Sequence, residues 1–293
     1  MNGLPSPCNL CGGTSADLLI TKDNFHVVRC KTCQLVFVSN PPDEAALAAQ
    51  YSFETGYHNE LADNPLSVAE HQQEAQENLQ RLHRHRRHGT LLDVGCSTGL
   101  FLDAAHKAGW SVKGVEYSAE TARISRQSYG FDVHTGTLGD ANFRGEKFDV
   151  ITLWDVLEHV PDPSQTLRDA HSHLADDGLL FIKTPNVVGW FPALSLRLAS
   201  KLGYWGHPEP PGHLFQFSTH TLNRMLGVTG FDTVESRHGR IPLTYSFGKT
   251  TSWLRSPKWA AYCALFVPLA LVGPYFGAGD DIVLVARKTL QRV

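Results

Sequence analysis

The stretch Leu91-Leu92-Asp93-Val94-Gly95-Cys96-Ser97-Thr98-Gly99 decides the fold, because an apolar strand ends in an acid and a glycine-rich turn, and a helix follows. Gly95 and Gly99 can take a positive φ and carry no Cβ, so a ligand can approach the backbone while the amides of the next helix's N-terminus face it. The spacing is Asp-x-Gly-x-x-x-Gly. Dinucleotide enzymes place Gly-x-Gly-x-x-Gly after the strand, and a P-loop ends in Gly-Lys-Ser/Thr, so neither template fits. The loop reads as a nucleotide-type cofactor site of another kind. A second strand, Ser111-Val112-Lys113-Gly114-Val115-Glu116, ends in an acid suited to accept both hydroxyls of a ribose.

These two features, in this order, resemble the class I S-adenosylmethionine (SAM)-dependent methyltransferases. The resemblance covers residues 88–185 well, with a tail to about residue 290. It continues through residues 148–160, similar to the family's fourth strand and following turn, and through residues 174–182, similar to its LxPGG turn and fifth strand. Asp176 and Asp177 replace the usual Pro-Gly of that turn, a structural feature rather than a chemical one. The resemblance implies that Asp93, Gly95, Cys96 and Gly99 hold the methionine end of SAM and that Glu116 binds the ribose. It further implies that Tyr117 covers the adenine and that Thr137 and Leu138 add adenine-side contacts. Trp154 and Asp155 fall where the loop faces the reactive methyl; core packing is the other reading of Trp154.

Beyond the quoted strands, segments at 131–135, 148–153 and 179–184 alternate with helical ones, then a sixth strand at 231–236 and a last at 281–287. This predicts an α/β fold: a doubly wound, mostly parallel seven-stranded sheet, Rossmann-like, with ligands at the strands' carboxyl ends. In the methyltransferase family the last strand inserts antiparallel beside the sixth. With 293 residues, 42% of them hydrophobic and 19% charged, the chain can bury such a core and a small second module. A net charge of −3 argues against a general nucleic-acid binder. Residues 1–8 lack the basic start and apolar run of a signal peptide, and a cytoplasmic protein is expected.

Four of the six cysteines fall as Cys8-x-x-Cys11 and Cys30-x-x-Cys33. Two such knuckles bring four thiolates to one tetrahedral ion, and this set reads as a structural zinc ribbon with no open position for a catalytic water. The metal would fold a segment too short to own a core. Cys96 and Cys263 do not extend the set and read as small buried residues. A ribbon followed by a strand such as residues 34–38 also resembles the N-terminus of certain sugar-modifying and natural-product methyltransferases.

The organisation expected is a zinc-ribbon-like module at 1–42, a helical linker at 43–88 and the SAM-dependent domain at 89–293, with apolar insertions at about 187–211 and 237–279. Asp43 is a plausible helix cap, and Tyr51, Phe53 and Tyr57 pin the linker or line a substrate mouth. The basic run at residues 81–88 reads first as a solvated helix end, with a histidine metal site or anion patch as the alternative. Residues 190–205 carry many apolar side chains, with Tyr204 and Trp205 near their end. Residues 259–279 are apolar but interrupted by Pro268, Gly273 and Pro274, which makes a poor transmembrane span. They read as a lid or homodimer surface, or as an element resting on a membrane with Trp253, Trp259, Arg255 and Lys258 at the headgroups.

Methyl transfer from a sulfonium is an in-line displacement helped chiefly by alignment. For a hydroxyl acceptor a base is needed, and His159 is the first candidate, with His213 as its rival and His207 less well placed. The reading is a SAM-dependent methyltransferase acting on a small or lipid-linked, glycan-type polar acceptor, by O-methylation of a sugar or related hydroxyl compound. C-methylation of a sugar nucleotide is the enzymatic alternative. A non-catalytic recruitment module is the alternative of another class, opposed by the intact acids Asp93 and Glu116.

Overall fold

The computed structural model describes residues 6–50, 65–202, 210–248 and 256–289. Tyr51, Phe53, Tyr57, Tyr204, Trp205, His207, Trp253 and Arg255 lie outside the described residues. The N-terminal module is an antiparallel meander of β1 (Ala16–Lys22), β2 (Phe25–Cys30) and β3 (Val36–Val38). Helix α1 (Glu44–Gln50) follows, with the Asp43 carboxylate accepting the Ala46 amide at 2.8 Å as expected of a cap. Helix α2 (Pro65–His83) then leads to the core domain.

That domain alternates β4 (Thr90–Val94), α3 (Leu100–Lys107), β5 (Ser111–Glu116), α4 (Ala119–Tyr129), β6 (Asp132–Thr135), β7 (Phe148–Trp154), α5 (Pro163–His173) and β8 (Leu174–Pro185). Next come α6 (Trp190–Leu202), β9 (Phe215–Gln216), α7 (Thr219–Val228), β10 (Phe231–Gly239), α8 (Leu243–Phe247), α9 (Pro257–Val272) and β11 (Asp281–Lys288). The seven-stranded sheet runs β10-β11-β8-β7-β4-β5-β6. Pairing is parallel from β8 to β6, while β11 lies antiparallel between β8 and β10. Alternate residues supply two cores, Leu92, Ile151 and Ile182 on one face and Leu91, Val150 and Phe181 on the other. Strands apolar on both faces require helices on both faces, which is why the composition reads as parallel sheet. Strand order reverses at β4, so the loops after β4 and β7 diverge and leave a crevice at the carboxyl ends.

The helices start on their caps. Ser118 caps α4, Asp162 accepts the Gln165 amide at 2.8 Å ahead of Pro163, and Ser218 with Thr221 forms a capping box on α7. The turn expected before the fifth parallel strand appears as a bulge within β8, where pairing jumps from Phe148–Leu174 to Val150–Leu179.

One expectation is corrected. The apolar stretch at 259–279 is not interrupted at Pro268, through which α9 continues; α9 does end at Gly273–Pro274, where a short 3-10 turn (Gly273–Phe276) follows, and the 20 residues together would reach across a membrane by length and composition alone. Packing of Tyr262, Phe266, Val267 and Ala270 against Phe191 and Phe247 outweighs the one lost helix bond. The ribbon's sheet takes in a strand from the core domain: β9 is its fourth strand, pairing Val36 with Gln216 and Phe37 with Phe215.

Candidate active site

The glycine loop closes the crevice on one side. Gly95 and Cys96 donate to the Val115 carbonyl at 2.8 and 3.1 Å, which pins the turn over β5. Gly95 sits at φ 73 and Gly99, the residue before α3, at φ 91. A Cβ on Gly95 would meet Val156 Cγ2 at 2.5 Å, and one on Gly99 would meet Ser125 Oγ at 2.4 Å. Gly95→Ala is therefore expected to destabilise the protein by about 1–2 kcal/mol from the backbone alone, with further loss from the Val156 contact, as read by urea unfolding.

The two expected acids lie at the crevice, both buried. Asp93 accepts the Thr152 hydroxyl at 2.6 Å, and burial, with the nearby Glu116 charge, pushes its pKa up to about 7. Glu116 divides its oxygens between the Ser97 amide at 2.9 Å and the Ser118 amide at 2.8 Å. Burial holds its carboxyl above the usual range, and those amides oppose the shift. Glu116 thus ties the glycine loop to the start of α4, and its further lone pairs remain for hydroxyl donors.

The other expected cofactor residues separate by side chain. Tyr117 is 41% exposed beside Glu116, as a residue covering a base would be. Thr137 turns its hydroxyl to Asp140 at 2.6 Å, and Leu138 is buried in the core, so only their backbone borders the crevice chemistry. The Cys96 thiol points inward against Gly114 and Leu102, as the small buried residue expected, and its part at the cofactor loop is that of the backbone. Trp154 packs edge-on against Phe101 at 5.5 Å and near Phe181, which favours its core reading.

On the acceptor side, the turn after β7 brings Asp155, Glu158 and His159 to the crevice. Asp155 adopts φ 54, donates its amide to the Lys183 carbonyl at 2.9 Å and accepts Lys183 Nζ at 2.6 Å. Lys183 also pairs with Glu74 of α2. Burial alone would lower the Lys183 pKa, but Asp155, Asp281 and Glu74 raise it well above its ordinary value. The sequence reading did not weigh Lys183 or Glu74, although a lysine inside the apolar strand Leu179–Pro185 was a visible signal. Lys183→Met leaves two carboxylates unpaired. The expected cost is about 2 kcal/mol by urea unfolding, less than for a fully enclosed pair because Glu74 and Asp155 keep a third or more of their side chains exposed.

The two candidate bases, distant in sequence, come together. The His159 and His213 rings meet edge-to-face at 4.7 Å, and His159 Nδ1 donates to the Gly212 carbonyl at 2.9 Å. That bond fixes the tautomer with Nε2 as acceptor. Burial lowers the His159 pKa to about 4, the Gly212 carbonyl opposing, so the ring is neutral at physiological pH. Glu158 accepts the Thr184 hydroxyl at 2.9 Å, its carboxyl held well above the ordinary range by burial and by the Asp155 charge. Ligand atoms of Glu158, His159 and His213 lie within 4.8 Å of one another.

The ribbon braces this pair. The Glu158 carbonyl accepts the Leu214 and Phe215 amides at 2.8 and 3.0 Å, and the Leu214 carbonyl accepts the Val38 amide at 2.8 Å. Phe37, Phe215 and Phe217 stack in series at 6.3 Å spacings. Asn9 joins the start of α5 through Asp162 at 2.8 Å and Ser164 at 2.9 Å. Cys8, Cys11, Cys30 and Cys33 bring their sulfurs within 4.8 Å of one another, with Sγ–Sγ distances of 3.5 and 3.6 Å. The basic run at 81–88 does not form a metal site: His85 pairs with Glu235, Arg86 with Asp149 and Asp177, and His83 accepts from Trp110.

Residues 68–236, more than half of the chain, match the family described as "Methyltransferase domain", and the chain belongs to that family. Its fold is that of the class I SAM-dependent methyltransferases, expected from the glycine loop and the two acids. Among curated proteins, a ubiquinone biosynthesis O-methyltransferase of Haemophilus ducreyi is 36% identical over 106 residues, 33% of this chain and 45% of that protein. A mitochondrial one of Candida albicans is 34% identical over 116 residues, 36% of each. The chain thus spans less than half the length of these relatives. Among solved structures, a SAM-dependent methyltransferase of Archaeoglobus fulgidus aligns with TM-score 0.50 at 18% identity, covering 74% of this chain and 94% of that one. A Pyrococcus horikoshii protein aligns with TM-score 0.51 at 13% identity, covering 77% and 93%. These two likenesses concern the fold.

Proposed function

We propose that the protein methylates a hydroxyl of a small polar acceptor, using SAM in the crevice at the carboxyl ends of β4 and β7, with Glu116 at the end of β5, and the His159–His213 pair as the proton-accepting side. One observation carries this reading: a half-buried histidine, neutral at physiological pH and with its Nδ1 committed to Gly212, follows β7, the strand next to β4, while β4 and β5 carry two acids suited to a nucleoside cofactor. The relatives' printed name supports oxygen as the acceptor atom; it does not extend to the sugar expected from the sequence. SAM bound there supplies an electrophilic methyl on a sulfonium. Asp93 would face the cationic methionine end, Glu116 would take ribose hydroxyls on its spare lone pairs, and Tyr117 would cover the base. With the methyl accepted by the hydroxyl oxygen, His159 Nε2 would take the hydroxyl proton. A weak base suffices, because the proton is transferred only as the hydroxyl becomes acidic.

The Asp93 pKa gives a linked prediction. A cation bound beside a carboxyl that titrates near 7 lowers its pKa, so SAM binding releases a proton and its affinity rises severalfold from about pH 6 to about pH 8. Calorimetry in two buffers of different ionisation enthalpy reads the released proton. The acceptor is tested by transfer of labelled methyl from SAM to two sets of compounds, catechol-type and glycan-type hydroxyls. Labelling of carbon or nitrogen, and never oxygen, would overturn this reading.

The four ribbon cysteines fit zinc. Tetrahedral coordination at a Zn–S distance of about 2.3 Å separates the sulfurs by about 3.8 Å, close to the separations here. Cobalt substitution, with its thiolate charge-transfer absorption, reports occupancy.

A further inference from the structure

We propose that α9 and the 3-10 turn after it form a surface that docks on an anionic lipid bilayer. The inner face of α9 is occupied: Tyr262, Phe266 and Val267 pack with Phe191 and Phe247. The outer face is exposed and apolar along its whole length, through Ala261, Ala264, Leu265, Pro268, Leu271 and Val272. These recur at helical spacing, and the stripe continues into Tyr275, 87% exposed, and Phe276, 69% exposed. Trp190, at the start of α6, stacks on Phe276 at 5.4 Å and widens the aromatic end.

Three observations select lipid as the occupant. Before the Tyr275 hydroxyl, no side chain on the stripe offers a hydrogen bond, whereas a protein interface carries about one per 100–200 Å². The flanking sequence is one-sided in charge: residues 238–279 contain four Lys or Arg and no Asp or Glu, and among the described residues Lys258 is exposed at the start of α9 and Arg197 on the neighbouring α6, in a chain of net charge −3. An exposed lysine at the head of an apolar, aromatic-tipped helix, within sequence of a single charge sign, matches the surface of an anionic membrane. Finally, α9 cannot span, although its length would allow it. Its inner face is packed on the core domain, and β11 returns directly into the sheet between β8 and β10. The helix therefore lies in the plane of the interface.

This surface adjoins the acceptor side. Phe247 of α8 packs on Phe191 at 4.9 Å and on Tyr262, while Tyr245 of the same short helix feels the charges of Glu74, Lys183 and Asp155. Docking would present the crevice to the membrane without depending on which hydroxyl is methylated.

The test is co-sedimentation of the full chain with phosphatidylcholine vesicles, alone or with about a quarter phosphatidylglycerol. The expected result is binding to the anionic vesicles that weakens with salt, and a loss of about tenfold or more in Tyr275→Ser/Phe276→Ser. Both side chains are exposed, so SAM affinity and thermal midpoint of the variant should match wild type; Leu265→Ser/Leu271→Ser gives a second, independent loss. Wild type remaining in the supernatant with both vesicles would overturn the proposal. So would a homodimer in sedimentation velocity that the same substitutions dissociate, since the face would then belong to a second copy.

Discussion

His159→Ala is expected to lower methyl transfer by about 10²–10³-fold while SAM affinity stays within about a factor of two. As the proposed base it would contribute a lone pair, not a cofactor contact: its Nδ1 is held by Gly212, and the acids proposed to face the cofactor lie on β4 and β5. His213→Ala should cost less, because that ring packs against His159 at 4.7 Å and orients it. The reverse order of effects would assign proton removal to His213. The pH profile carries the same information. The base acts in its neutral form, which predominates above a pKa of about 4, so its rate limb stays flat through pH 6.5 and falls only on approach to 4. An exposed histidine would lose activity near 6.5. The sign for stability follows. Between about pH 6.5 and about 4 the unfolded chain binds a proton at this ring that the folded protein does not, so His159 makes the fold progressively less stable as pH falls through that window.

Cys30→Ser/Cys33→Ser is expected to abolish metal binding and to disturb the acceptor side while sparing the cofactor side. Coordination would supply most of the folding free energy of so small a module, about 10 kcal/mol or more for structural zinc sites. Without it β3 loses its anchor, and β3 holds the segment bearing His213 through Val38–Leu214 and the pairing with Phe215 and Gln216. Amide exchange at residues 212–217 should rise together with that of the ribbon, and methyl transfer should fall by about tenfold or more. SAM affinity, set by the loop between β4 and β5, should change little. Faster exchange confined to residues 8–38 would show that the ribbon stands apart from the site.

Much of this was legible in the sequence because its signals are local. Strands β4 and β5 form with the expected bounds, since an apolar run, a terminal acid and a glycine turn each act within a few residues. The four cysteines converge because their spacing leaves little other geometry. What the sequence did not carry is pairing across long separations. The union of β3 with β9 joins residue 37 to residue 215, and two-residue strands have no periodicity of their own. The Lys183–Asp155–Glu74 network joins three elements, and only the lysine in an apolar strand hinted at it. Pro268 misled because propensity was set against packing that the sequence does not display.

The most direct test of the central claim is calorimetric titration of SAM and of its demethylated product into the zinc-loaded protein, with Asp93→Ala and Glu116→Ala alongside. The account predicts about micromolar binding by wild type, lost in both variants while their fold persists. Absence of binding by well-folded wild type, or binding unaffected by either substitution, would contradict it.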